Sequence, residues 1–285
     1  MEVNCEGCAG CCIDWRDIAP EITDHERRGA RKPLDDAHNF VPLMREEVVA
    51  FVEAGLADAL TPRLWQDDSG TDVGGVKLAA IEGKPAFFLG LRKPLKPVEP
   101  FDSEEPRWLP TCTFLDPKTL QCRIHGDDLY PLECSEYPGH NLKLGQETEC
   151  ERVEAAFDGD RLVDDEPPDA LSGLLLGPQA IGEKVFVHPN SDELEGVAER
   201  MRAGELTDED RARFVATAAA NRPGTTSINR ETYETVLATV RETDSWVGRS
   251  IRAWEAMSQT KTGVPDPSVA ERIETGAGAP SPPGW

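Results

Sequence analysis

The chain has 285 residues, with 30 Lys plus Arg against 53 Asp plus Glu and a formal net charge of −23. A body this acidic repels phosphate backbones and anionic lipid, which disfavours sequence-independent binding to nucleic acid or to a charged membrane surface and leaves room only for a small local basic patch. The 39% of hydrophobic residues together with 24 Gly reach the apolar share usual for globular chains, so a core can form. No apolar run approaches the ~18 residues that suggest a membrane span. The opening Met1-Glu2-Val3-Asn4-Cys5 carries neither the basic nor the apolar region of a secretory signal, which predicts a cytoplasmic protein. Its basic residues are 21 Arg and 9 Lys, and the acidic excess runs along the whole chain, a pattern suited to a halophile cytosol. Eight cysteines in a chain of this kind point to metal binding or redox chemistry.

The first predicted element after the opening cysteines is a helix over residues 43–60. Val48, Val49, Val52, Leu56 and Leu60 fall near helical spacing, and Thr61-Pro62 stops it. Residues 76–81 and 86–89 read as two short strands joined by a turn at Glu82-Gly83-Lys84. Pro94, Pro97, Pro100, Pro106 and Pro110 make the next stretch an extended connector that returns the chain to a second cysteine group. An acidic, Pro-containing run over 158–169 predicts a boundary, and a strand over 185–187 follows it. Three helices come next: residues 192–203, a second capped by Thr207 with Asp208, Glu209 and Asp210 in its first turn, and a long third over 229–258. Tyr233, Leu237, Val240, Val247, Ile251 and Trp254 give the third an apolar stripe for intramolecular packing, interrupted at Asp244. Residues 265–285, rich in Pro, Gly, Ala and Ser, read as a disordered tail. The expected fold is α+β: a small cysteine-rich metal-cluster domain with short strands and helices over 1–157, a mainly α-helical region over 158–264, and the tail.

All eight cysteines fall within the first 150 residues, which places the chemistry in the amino-terminal half. Cys5-Glu-Gly-Cys8-Ala-Gly-Cys11-Cys12 sets thiols at three-residue intervals, and Gly7 and Gly10 let the loop curl so that backbone N–H groups point at sulfur. Clustering at fixed spacing suits ligation better than burial as small apolar residues. Neighbouring side chains diverge in most backbone conformations, so Cys11 and Cys12 are expected to serve different metals. A vicinal disulfide between them is the rival reading and requires a strained ring. The second group is Cys112, Cys122 and Cys134, with Cys150 further on.

Together these segments resemble the YkgJ-type cysteine cluster family, a zinc- or iron-chelating domain. Cys5, Cys8, Cys11 and Cys12 match its CxxCxxCC. Cys112 with Phe114 and Leu115, and Cys122 with Ile124, match its middle elements, and Pro131, Cys134, Tyr137 and Pro138 match its last. Tyr130 and Ser135 stand where the family usually has Arg, which leaves the metal-ligand reading intact and puts in doubt any anion-binding or catalytic role assigned to those arginines. The resemblance covers residues 1–150 discontinuously and implies a metal-binding protein. Cys150 lies outside its matched segments, as a further ligand or a free thiol.

Eight thiolates allow two four-ligand sites or one bridged polynuclear site, of zinc or of iron and sulfide. The opening spacing resembles the first ligands of bacterial ferredoxins, and the second group lacks the paired CxxC knuckles usual for zinc. An iron-sulfur cluster is therefore the favoured cofactor and zinc the alternative. His125 and His140 are expected to pack and not to ligate, while His25, His38 and His188 stand alone. The pairs Asp35-Asp36, Asp67-Asp68 and Asp127-Asp128 read as solvated surface. No GxGxxG, P-loop, GxSxG or HExxH is present, which weakens a standalone nucleotide-dependent enzyme or hydrolase. The expectation is a cytoplasmic metal-binding protein partnered by a metal ion or cluster, with no nucleic acid or membrane and no protein partner legible. The alternatives are a cluster-dependent oxidoreductase, a protein-modifying enzyme by analogy with flagellin lysine methylases, and a thiol redox sensor using Cys11 and Cys12.

Overall fold

The computed structural model describes residues 1–20, 31–101, 103, 105–172, 177–260 and 266–284. Short strands β1 (Glu2–Val3) and β2 (Lys32–Pro33) precede the first helix, α1 (Arg45–Glu53). The Glu47 carboxylate fixes its start by accepting the Met44 N–H at 2.6 Å, and the helix buries Val48, Phe51 and Val52. It is shorter than the helix expected over 43–60. Gly55, at φ +68°, turns the chain into a 3-10 turn at Ala57–Ala59 and then directly into strand β3 (Leu60–Val73).

Pro62, expected to end a helix, lies inside this strand. The Leu89 carbonyl opposite it accepts from Leu43 N–H (2.8 Å), and the Leu64 carbonyl accepts from Leu34 N–H (2.9 Å). Even-numbered residues here therefore turn their ladder groups away from the paired strand, and Pro62 sacrifices no bond. The expected hairpin forms from β4 (Val76–Leu78), β5 (Ala80–Ile81) and β6 (Lys84–Leu91), with Glu82 and Gly83 both at positive φ (52° and 75°), as a tight hairpin turn requires. The Pro-rich connector folds further than expected, pairing β7 (Leu95–Val98) with β8 (Arg107–Pro110).

Three helices carry or flank the later cysteines: α2 (Leu132–Ser135), α3 (Gly139–Lys143) and α4 (Glu149–Phe157). Strand β9 (Leu162–Asp164) then pairs with β1, and β10 (Phe186–Val187) pairs with β6. The large sheet has six strands in the path β10-β6-β3-β2, with β4 on β3 and β5 on β6.

The remaining helices are α5 (Val197–Ala203), α6 (Asp208–Ala220), α7 (Arg230–Glu242) and α8 (Trp246–Thr260). Thr207 caps α6 as expected, accepting from Asp210 N–H at 3.0 Å. The single helix expected over 229–258 is two. The Ser245 hydroxyl donates to Asp58 (2.6 Å) and accepts from Val247 N–H (3.0 Å), so it ends the approach and starts α8. Val247, Ile251 and Trp254 of the predicted stripe are buried.

The chain is mixed α and β, and one hydrophobic core joins its two halves. Phe87 of β6 meets Phe186 of β10 and Phe214 of α6 at centroid distances of 5.6 and 4.8 Å. The division expected at 157/158 thus falls between elements that share one sheet and one core. Residues 266–284, expected within a disordered tail, instead carry a π-helical turn at Glu271–Thr275 and bury Ala270 and Glu274. Residues 265 and 285 lie outside the described residues. Among the described residues no helix is long and apolar enough to cross a membrane.

His188 sits on this core, its ring 5.6 Å from Phe214 and its Nδ1 2.8 Å from the Asn190 carbonyl, and burial lowers its pKa. A histidine held neutral in the fold but free to protonate when unfolded weakens the fold as pH drops below the unfolded value of about 6.5. Acid titration of unfolding free energy is expected to slope by up to about 1.4 kcal/mol per pH unit there, and His188→Gln to flatten the slope. An unchanged slope in that variant assigns the effect to other groups.

Candidate metal centre

The first cysteine group folds as a tight loop whose turns are closed by backbone bonds, Cys8 N–H to the Cys5 carbonyl (3.1 Å) and Cys12 N–H to the Ala9 carbonyl (2.8 Å). Gly7, at φ +64°, supplies the left-handed step. Gly10 is needed for a second reason: a Cβ there would lie 2.6 Å from Cγ2 of Val153 on α4. The loop is thus pressed against the helix that carries Cys150.

The second group reaches the first through the backbone. Cys112 N–H donates to the Cys12 carbonyl at 2.8 Å, beside an antiparallel bridge between Ile13 and Thr111. Cys122 follows in a small loop closed by the Leu115–Cys122 bridge and by Arg123 N–H to the Phe114 carbonyl (2.8 Å). Cys134 sits in α2, whose first N–H, that of Leu132, is accepted by Glu47 of α1 at 2.7 Å. Cys150 lies in the first turn of α4, which Thr148 and Glu151 cap reciprocally.

The outcome is one cavity of about 1150 Å³ lined by Cys5, Cys8, Cys11, Cys12, Cys112, Cys122, Cys134 and Cys150. All eight predicted residues meet there, although the chain between Cys12 and Cys112 spans the whole large hairpin. All eight are free thiols, and the Cys11 and Cys12 sulfurs are 3.9 Å apart, so no vicinal disulfide is formed. Among the described residues, no three Cys, His, Asp or Glu side chains converge on a single metal position.

The surroundings favour anionic sulfur locally and disfavour it through burial. Backbone N–H groups two residues further on face three of the sulfurs: Gly10 to Cys8 (3.4 Å), and Phe114 and Ile124 to Cys112 and Cys122, each lowering its thiol's pKa. Lys93, whose ammonium also donates to the Cys11 carbonyl (3.1 Å), acts the same way on Cys11 and Cys112, and Arg161 on Cys5 and Cys8. Desolvation is stronger. It pushes Cys5 and Cys122 up to about 12 and Cys8 to about 11, and raises Cys150 and Cys134 as well. Cys11 is the exception, held below the ordinary value by the hydrogen bond with Cys12, whose own pKa rises in return. Thiols of this kind stay protonated until a cation replaces their protons.

Tyr130 and Tyr137 also line the cavity, both with pKa values raised by burial and by the neighbouring sulfurs. Tyr130 packs edge-on against His125 at 5.0 Å. His140 lies 3.2 Å from both Glu136 and the Ser172 carbonyl. His38, expected to stand alone, pairs its Nε2 with Oε1 of Glu149, a lining residue of the cavity, at 2.8 Å in a buried contact, and Glu149 N–H donates to the Tyr137 hydroxyl at 2.5 Å. His25 lies outside the described residues. Two of the three acidic pairs are not merely solvated: Asp35 and Asp36 bind Arg63 and Arg16, and Asp67 binds Arg31.

Fold and cavity together define a mixed α/β protein built around a pocket of eight thiols. Along its full length, residues 1–285, the chain matches a family of unknown function (DUF7531), and it belongs to that family. No curated protein and no solved structure matches it.

Proposed function

We propose that this protein is a thiolate metal-binding protein whose cavity holds an iron-sulfur centre. The observation that carries the reading is the assembly of all eight cysteines, contributed by four separate segments, around one cavity. The donor set fits the group: soft sulfur ligands, N–H donors at three of them, and lysine and arginine cations to offset thiolate charge. Eight thiols lining one shared cavity suit a cluster, whose inorganic sulfides occupy space between ligands. The sequence resemblance to the YkgJ-type cluster supports the same reading. A bound cluster supplies one-electron redox chemistry, whereas four-thiolate zinc supplies folding energy alone.

Within this reading Cys5, Cys8, Cys11, Cys12, Cys112, Cys122, Cys134 and Cys150 hold the group, and Lys93 and Arg161 offset its charge. The test is metal and acid-labile sulfide content with a visible spectrum, on protein purified without oxygen. Iron with sulfide and broad absorption near ~400 nm is the expected result; colourless protein with stoichiometric zinc replaces the cluster by a structural clasp. Cys8→Ser and Cys134→Ser are each expected to lower metal content, and full content in both overturns the ligand assignment.

A further inference from the structure

Residues 266–284 bind the loop that carries Cys112 and Cys122 through two buried cations. Lys96 of β7 donates to the Thr113 and Leu115 carbonyls (2.9 Å each) and to Glu274 Oε1 (2.7 Å), so all three protons of one ammonium join that loop to the strap. Arg123, the residue after Cys122, donates its Nε to Glu274 Oε2 (3.0 Å), one terminal nitrogen to the Pro280 carbonyl (2.6 Å) and the other to Asp116 (2.5 Å). Asp116 in turn accepts from the Lys118 and Thr119 N–H groups, both at 2.9 Å, and so shapes the turn between the two cysteines. Nearer the surface, Arg249 of α8 donates to the Ala277 carbonyl at 2.8 Å.

The same loop is a wall of the thiol cavity, which Cys112, Phe114, Leu115, Cys122 and Ile124 line. The first cysteine loop is anchored elsewhere: Arg161 donates to the Glu6 carbonyl (2.7 Å), and its own carbonyl accepts from Asn4 N–H (2.8 Å). Lys96 and Arg123 are 1% and 2% exposed, and a charge so far from water is tolerated only with its counter-charge in place. Undocking the strap takes Glu274 from both at once, and the two cations regain water only if the loop bonded to them moves as well. Release of the strap and opening of this wall are therefore one event.

We infer that residues 266–284 are a latch on the thiol cavity. Docked, they hold shut the wall that carries Cys112 and Cys122; released, they free that wall while the loop of Cys5 and Cys8 stays in place. The coupling is reciprocal, so a cation bound by Cys112 and Cys122 tightens the strap by the same factor as the strap tightens the cation. This reciprocal half rests on the metal-centre reading, and the latch itself does not.

The first test is hydrogen exchange of reduced, metal-free, full-length wild-type protein in sub-denaturing urea, read by mass spectrometry. Amides of 112–124 and 266–284 are expected to lose protection together, at one midpoint, below the urea that exposes the rest of the core. Separate midpoints, or loss only with the rest of the core, overturn the latch. The second test is thiol alkylation in Glu274→Gln, with Cys8 and Cys112 as a matched pair because both are 7% exposed in the wild type. Cys112 and Cys122 are expected to react at least about tenfold faster than in the wild type while Cys5 and Cys8 keep their rates. Equal acceleration of all four is general destabilisation and overturns the proposal. If that variant does not fold, Arg249→Ala, which removes a surface tether of the strap, is expected to show the same selective acceleration at smaller size, and the wild-type exchange decides in either case. Zn(II) added to the wild type is expected to slow exchange at 266–284. Zinc that protects Cys112 and Cys122 without slowing it overturns the coupling, whereas zinc that protects no thiol overturns the metal-centre reading and leaves the latch to the other two measurements.

Discussion

Replacing Glu274 with Ala is expected to destabilise the fold by about 3–5 kcal/mol, the usual loss when one partner of a buried ion pair is removed. Glu274 is fully buried and accepts from Lys96 Nζ (2.7 Å), Arg123 Nε (3.0 Å) and Trp254 Nε1 (3.0 Å). Lys96 and Arg123 are themselves 1% and 2% exposed, so losing the carboxylate strands two cations away from water. Asp116, at 2.5 Å from Arg123, retains only part of the compensation. Glu274→Gln keeps the shape and removes the charge, and is expected to lose nearly as much. Urea unfolding followed by circular dichroism measures both. A loss below about 1 kcal/mol in both variants, a value typical of surface pairs, shows that residues 266–284 do not dock in solution as described.

Trp15→Ala is expected to cost about 3–5 kcal/mol as well, through a cavity and not through charge. Trp15 is fully buried behind the first cysteine loop, its ring edge-on to Phe157 (5.7 Å), Phe101 (5.9 Å) and His38 (6.3 Å). Its Nε1 has no hydrogen-bond partner among the described residues, so the loss is one of packing alone. Trp65 packs against Phe88 at 6.3 Å but is only half-buried, and Trp65→Ala is expected to cost clearly less. Equal losses in the two variants contradict this account. Because Trp15 lies three residues beyond Cys12, its removal is also expected to disturb the cysteine loop and, under the proposed metal-binding function, to lower metal content, which Trp65→Ala leaves intact.

What could be read from the sequence was what depends on short spans of chain. Thr207 caps its helix through a bond spanning three residues, and Glu82-Gly83 makes its turn from its own backbone preferences. The cysteines were legible as a group because spacing and clustering are sequence properties. Their gathering around one cavity was a consequence of the fold and not of any one motif.

What escaped was carried by long-range partners. The His38–Glu149 pair spans 111 residues and the Arg123–Glu274 pair 151, so neither residue carries a local signal of its role. Glu274 sits in a stretch whose Gly, Ala and Pro content matches disorder, and three polar partners outweigh that composition. Pro62 misled for the opposite reason. Its local preference argues against a strand, and only the ladder pattern of its neighbours shows the missing N–H to be harmless.

The ion-pair clasp around Glu274 also sets an order of events on the ribosome. Lys96 and Arg123 emerge long before their shared carboxylate, 151 residues after Arg123. At ~5–20 residues per second that is a delay of about 8–30 s. During that interval the loop holding Cys112 and Cys122 lacks the carboxylate that anchors its neighbour Arg123. That loop therefore gains its last anchor only after translation has passed Glu274.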